Sequence, residues 1–277
     1  MRFSKYQGIG NDFVMLSDPT DSMVLTPDLV RFLCDRRFGI GADGVIRVAP
    51  SERAHFFMDY VNSDGSPSEM CGNGVRCVAM FARAESLTDD SQIDVDTRAG
   101  VKKLEVDGER VRVDMGAPIF EPSAIPVTLD ATGPDALRAK LELQDDVIEA
   151  AVLSMGNPHA VLFVEDASAA PVATLGPRLE EHPAFPNKAN IEFVTLESPD
   201  RLRMRVWERG SRETLACGTG ACAGAVAARL LRDADSKLTV ALPGGDLEIE
   251  WTGSTTDEKP VFMTGPAVEV FTGDVSV

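Results

Sequence analysis

The sequence predicts an α+β fold of two similar halves, each with mostly antiparallel strands around a central helix. Three observations carry the prediction. The stretches "EMCGNGVRC" (residues 69–77) and "LACGTGACA" (residues 215–223) each place a cysteine directly before Gly-x-Gly and then open a run of small and apolar residues. Cys71 and Cys217 lie 146 positions apart, and the same offset carries Gly10-Asn11 of "GIGNDFV" onto Gly156-Asn157 of "SMGNPHAV", Met58 onto Met204 and Asn62 onto Glu208. Matches held in one register across the chain mark an internal duplication. Finally, short alternating stretches such as "VRVDM", "AVLFV", "IEFVTL", "LEIEW" and "AVEVF" read as strands placed around the helical segments.

Taken in order, the first helix is "TPDLVRFLCDRRFG", with Thr26 as N-cap, Pro27 at the first helical position and Gly39 as the stop. "GIGADG" (residues 39–44) satisfies G-x-G-x-x-G, but a charged helix precedes it and "VIRVA" follows, so it reads as a turn and not a dinucleotide site. After each cysteine comes a further helix, "VRCVAMFARAESL" and "ACAGAVAARLLRD". The latter is small or apolar nearly all round until Arg229, which requires burial, and its Ala and Gly permit close approach by strands. "GAPIFEPSAIPV" (residues 116–127) is the Pro-rich candidate linker between the halves.

The composition bounds the function. A chain of 277 residues with 44% hydrophobic and 6% aromatic residues can bury cores of Leu, Val and Ala. It has no apolar run of membrane-spanning length and no secretory h-region, so a cytoplasmic protein is expected. A net charge of −17 with dispersed Lys and Arg argues against nucleic-acid binding. Five cysteines in such a chain read as reduced thiols. The spacings Cys71-x5-Cys77 and Cys217-x4-Cys222 are loose for zinc, and the second member of each pair lies within a predicted helix. No metal is expected, and Cys34, Cys77 and Cys222 read as small buried residues.

A cysteine at a helix N-terminus sits where backbone N–H groups and the helix dipole favour negative charge, which lowers a thiol pKa from about 8.5. Flanking glycines leave those N–H groups uncovered, so an anion can approach the backbone. One such loop could be a plain turn. Two, related by a pseudo-twofold axis, would face each other across the cleft between the halves. A carboxylate there could accept N–H bonds from Gly72, Asn73, Gly218 and Thr219, with one thiol on each side of its α-carbon. That arrangement suits removing a proton from one face and returning one to the other, with the developing negative charge stabilised nearby. The expectation is a two-base racemase or epimerase that needs no cofactor. A non-catalytic amino-acid-binding module with the same cleft stays open as an alternative.

Residues 62–76, "NSDGSPSEMCGNGVR", match the diaminopimelate epimerase signature N-x-D-G-S-x4-C-G-N-[GA]-x-R at every fixed position. "YQGIGNDF", "MGNPH", "ANIEFV", "WERG" and "ACGTGACA" extend the resemblance over essentially the whole chain. The resemblance implies a pyridoxal-phosphate-independent enzyme interconverting LL- and meso-2,6-diaminoheptanedioate for lysine and peptidoglycan precursors. It implies two domains, each a barrel-like sheet with a helix inside: residues 1–117 with a returning strand in 263–277, and residues 118–262. Cys71 and Cys217 become the acid/base pair, and His159 and Glu208 the groups that tune them. Gly72, Asn73, Gly218 and Thr219 form the carboxylate cradle; Asn11, Asn62, Asn157, Asn190, Glu208 and Arg209 are the further substrate contacts. A homodimer is left open. Gly44 stands where many members of the family carry Gln, so that contact is not carried over. A proline or hydroxyproline racemase is the nearest rival, disfavoured because Asn73 stands where its first loop is expected to hold His.

Overall fold

The computed structural model describes residues 1–129 and 137–276, and the chain divides into two compact units. Residues 1–114 and 264–277 form the first, and residues 115–263 the second.

In the first unit, the Arg2–Gly8 strand pairs antiparallel with Asn11–Ser17 on one side and with Val268–Asp274 on the other. Asn11–Ser17 runs parallel to Gly44–Ala49, which pairs antiparallel with Phe56–Asn62. Phe56–Asn62 continues in parallel to Gln92–Thr97, followed by the antiparallel strands Gly100–Asp107 and Arg110–Asp114. Helix α1 (Pro27–Cys34) lies against the Gly44–Ala49 strand, and helix α2 (Gly72–Ala84) touches strands from one end of this order to the other. A sheet whose two ends both reach one helix is curled around it, giving the barrel-like α+β architecture expected from the sequence. Val75, Cys77, Val78, Ala79, Phe81 and Ala82 of α2 are buried in that barrel. Each large apolar side chain removed from water in this way contributes about 1.5–3 kcal/mol.

The second unit repeats the plan. Arg138–Glu142, Val147–Ser154 and Pro158–Phe163 pair antiparallel in turn; Pro158–Phe163 then runs parallel to Asn190–Ser198, which pairs antiparallel with Arg201–Glu208. Helix α3 (Val172–Glu180) packs on the Asn190–Ser198 and Arg201–Glu208 strands, and helix α4 (Gly218–Arg232) is the enclosed one. The register itself is duplicated. Phe13 pairs with Gly44 and Val45 with Val61 in the first unit; His159 pairs with Asn190 and Ile191 with Trp207 in the second. Each of these residues lies 146 positions from its counterpart.

Two local expectations are corrected. Helix α1 stops at Cys34 and not at Gly39, because the Asp35 side chain accepts the N–H groups of Arg37 and Phe38 and turns the chain there. Gly39 instead serves close approach: a Cβ on it would lie 1.8 Å from the Phe32 carbonyl oxygen. Residues 116–127 are no free linker. Ile119 exchanges backbone hydrogen bonds with Ser154, and Ile125 and Val127 are buried in the core of the second unit. Among the described residues no helix is long and apolar enough to cross a membrane.

Candidate active site

Each cysteine of the duplicated motif is the N-cap of an enclosed helix. Cys71 has extended backbone angles (φ −135°, ψ 120°), and its Sγ accepts the Gly74 N–H at 3.4 Å. Cys217 has the same form (φ −126°, ψ 111°), with Sγ accepting the Gly220 N–H, also at 3.4 Å. Sulfur here does what a Ser or Asp oxygen does in an ordinary cap. Gly72-Asn73 and Gly218-Thr219 therefore form the first two positions of a helix, whose N–H groups have no acceptor within it. The third position of each helix is closely packed. A Cβ at Gly74 would lie 2.9 Å from Ile46 Cδ1 and Met58 Cε, and one at Gly220 would lie 2.8 Å from Glu192 Oε1 and 3.2 Å from Cys217 Sγ.

In the first unit the cap is braced by amides. The tight turn at Ile9-Gly10, both with positive φ, delivers Asn11 to the start of its strand. Asn11 Oδ1 lies 3.5 Å from Cys71 Sγ and accepts from Asn73 Nδ2 at 3.3 Å, while Asn11 Nδ2 donates to Asp43 at 2.7 Å. Arg76, fully buried one turn into α2, donates to Asn73 Oδ1 and to the Gly72 and Pro266 carbonyls at 3.0–3.2 Å. Asn62 ends its strand opposite Gly44 with its amide donating to Ser66 Oγ. A side chain at Gly44 has no room, since a Cβ would meet Tyr60 Cε2 at 2.5 Å.

The second unit carries charge in place of amides. His159 is fully buried, with Nδ1 2.7 Å from Glu192 Oε1 and Nε2 2.9 Å from Asn157 Oδ1. Glu208 accepts from Thr214 Oγ1 and from the Cys217 thiol. Burial pushes the Glu208 carboxyl above its usual value and Glu192 adds to this, against the hydrogen bonds and the pull of His159. Burial likewise pushes Cys217 well up, reinforced by Glu208 and Glu192 and opposed by Thr219 and Gly220. Cys217 is thus held as a thiol. Asn190 braces backbone with both ends of its amide, donating to the Pro158 carbonyl at 3.1 Å and accepting the Arg209 N–H at 2.9 Å. The Arg209 side chain is exposed and, among the described residues, reaches the Asn187 carbonyl at 3.4 Å.

Sequence reasoning missed Glu192, Arg76, Asp43 and Thr214. Period-two alternation in "IEFVTL" assigns Glu192 to a solvent face, yet residues 190–194 are all buried, because α4 covers one face of the strand and its other face packs into the second-unit core. The duplication offset held the missing signal, since it places Glu192 on Ile46, a core residue.

The remaining thiols have a different fate. Cys34, Cys77 and Cys222 are buried, and burial pushes Cys34 and Cys77 up to about 12 from 9.0. A thiol raised in the folded state contributes stability that is intact below its unfolded pKa and is lost as pH climbs through the folded value. The urea midpoint should therefore fall from about pH 9 towards about pH 12, less steeply in Cys77→Ala. A fall of equal slope in wild type and variant contradicts this. Gly220→Ala should cost roughly 1–3 kcal/mol, because neither Glu192 nor Cys217 can yield. Gly224→Ala, whose Cβ would meet nothing closer than Met204 Sδ at 3.4 Å, should be tolerated. Equal urea midpoints for the two variants would show that the Glu192 contact is slack.

A family model described as diaminopimelate epimerase matches residues 3–121 and 151–270. The chain is 50% identical over 280 residues to a diaminopimelate epimerase of Moorella thermoacetica, covering 99% of each protein. It is 47% identical to that of Synechococcus elongatus, over 100% of this chain and 99% of the other. Among solved structures, a probable proline racemase from Agrobacterium radiobacter superposes with a TM-score of 0.73 at 14% identity, covering 100% of this chain and 93% of that one. A Bacillus anthracis phenazine biosynthesis protein of the PhzF family gives 0.69 at 17%, covering 100% and 99%. These two likenesses speak for the fold alone.

Proposed function

The chain belongs to the diaminopimelate epimerase family, and on that premise we propose that it interconverts LL- and meso-2,6-diaminopimelate, with Cys71 and Cys217 as the two proton-transfer groups and no cofactor. The observation that carries the reading is the pair of cysteine N-caps at duplicated positions, each at the first turn of an enclosed helix.

The chemistry needs one thiolate and one thiol. Cys217, fully enclosed beside two carboxyls, takes the thiol role. Cys71, partly exposed and capped by the Gly74 N–H, takes the thiolate role. The thiolate accepts the α-proton: an S–H bond forms, the Cα–H bond breaks, and its electron pair passes into the adjoining carboxylate system. Helix N–H donors at Gly72, Asn73, Gly218 and Thr219 bind that carboxylate and stabilise the charge. The Cys217 thiol then delivers its proton to the opposite face and is left as thiolate. Glu208 lies within hydrogen-bond reach of Cys217, and burial shifts its carboxyl upward, the direction that favours sharing a proton with the new thiolate over repelling it. Nothing is oxidised or reduced. Asn11, Asn62, Asn157, Asn190, Glu208 and Arg209 are proposed to bind the two polar ends of the substrate, and Asn190 also holds the Arg209 backbone N–H.

The reading includes a cytoplasmic enzyme acting on a small molecule. It also admits a homodimer, for which Val270 and Phe271 offer exposed apolar surface. Incubation with LL-diaminopimelate in D2O tests the function: meso product should appear with deuterium at the inverted carbon. Binding without inversion or deuterium uptake would establish the non-catalytic module instead.

A further inference from the structure

The two units solve one packing problem with different chemistry. In the first, the buried pair Phe13 and Ile46 lines the strands beneath the N-terminus of α2, and Ile46 Cδ1 presses on Gly74. At the equivalent positions, 146 residues on, the second unit has His159 and Glu192, and Glu192 Oε1 presses on Gly220. Phe and Ile are thus sufficient for this fold at these places. An ionisable pair there carries a desolvation cost that packing does not repay. One oxygen, Glu192 Oε2, is buried without a hydrogen-bond partner among the described residues. A polar group kept against that cost has a task outside stability.

We infer that Glu192 is a positioning residue that holds the proton of His159 on Nδ1 and so presents Nε2 in a defined state; this rests on the epimerase reading given above for what His159 then does. Nδ1 faces a carboxylate at 2.7 Å, so it donates whether the ring carries one proton or two. Nε2 faces the Asn157 amide oxygen at 2.9 Å, beside the strand entry that also holds Asn190. That oxygen accepts from Nε2 when the ring carries both protons, and must give way to the amide Nδ2 when Nδ1 alone is protonated. A buried carboxylate behind an imidazole fixes both its tautomer and its plane, as general acid–base chemistry requires. The first turn of α4 lies against the carboxylate, and its positive end stabilises the charge. His159 and Glu192 hold one another from adjacent parallel strands, so neither ring nor carboxylate can turn alone.

The test uses the full chain with ¹⁵N-labelled histidine and two variants. Glu192→Ile copies the residue of the first unit; Glu192→Gln keeps size and an acceptor but loses the charge. The His159 signal is assigned by comparison with His159→Phe. Wild type should show Nδ1 protonated. In Glu192→Ile the proton should move to Nε2 and bond to Asn157, while kcat/KM falls at least about a hundredfold, within the range of a lost acid–base group. Glu192→Gln should keep Nδ1 protonated and lose about tenfold. A folded Ile variant with wild-type kcat/KM, or with Nδ1 still protonated, overturns the inference. If that variant does not fold, Glu192→Gln decides: unchanged kcat/KM overturns it and a loss supports it. The ring proton is read without substrate, so a wild type that fails to epimerise would sink the functional reading while leaving this one standing.

Discussion

Cys71→Ala and Cys217→Ala should each lower epimerisation at least about a thousandfold while the protein stays folded. Alanine carries no transferable proton, and each thiol serves one face of the carbon, so neither can substitute for the other. The folded state should survive because each sulfur makes only weak contacts, a cap bond from the Gly74 or the Gly220 N–H together with long contacts such as that to Asn11 or Thr219. Loss of a cap costs about 0.5–2 kcal/mol. The variants should also differ in isotope exchange. With one thiol left, a proton can leave and return on the same face, so deuterium enters one isomer without inversion, and the variant lacking the other thiol should exchange the opposite isomer. Chiral chromatography with mass spectrometry reads both outcomes. Near-normal inversion in either variant, or exchange of the same isomer by both, would end the two-base assignment.

Arg76→Met should cost about 3 kcal/mol or more and reduce kcat/KM as well. The guanidinium is fully buried, and its acceptors include Asn73 Oδ1 and the carbonyls of Gly72 and Pro266. Methionine fills much of the volume but donates nothing, so each acceptor is left dry, at about 1–3 kcal/mol apiece before relaxation. Pro266 lies in the returning segment Thr264–Val277 of the first unit, so this one side chain ties α2 to that segment. Activity should suffer because Gly72 and Asn73 carry the proposed carboxylate donors. Arg76→Lys should recover only part, since an ammonium cannot match a planar fork that meets several acceptors at once. Urea unfolding gives the stability, and a loss under about 1 kcal/mol would mean that other donors reach those oxygens.

The sequence by itself determined the duplication, the two cysteine N-caps and the family. These depend on residues close in the chain or on one repeated offset: Cys-Gly-x-Gly is a cap within a single helical turn, and 146 positions carry Asn11 to Asn157 as surely as Cys71 to Cys217. Tertiary structure alone decided which polar residues are buried and what they meet. Glu192 reads as a solvent-facing strand residue until helix α4 is laid across the strand. Asn190 reads as an isolated strand-entry amide, and the fold shows it bridging the Pro158 carbonyl and the Arg209 N–H. The stretch 116–127 reads as a linker, and Ile125 and Val127 anchor it in a core assembled from distant strands. In each case the deciding partner lies tens of residues away. Burial and hydrogen bonding are set by what the fold brings alongside, and no local pattern encodes that.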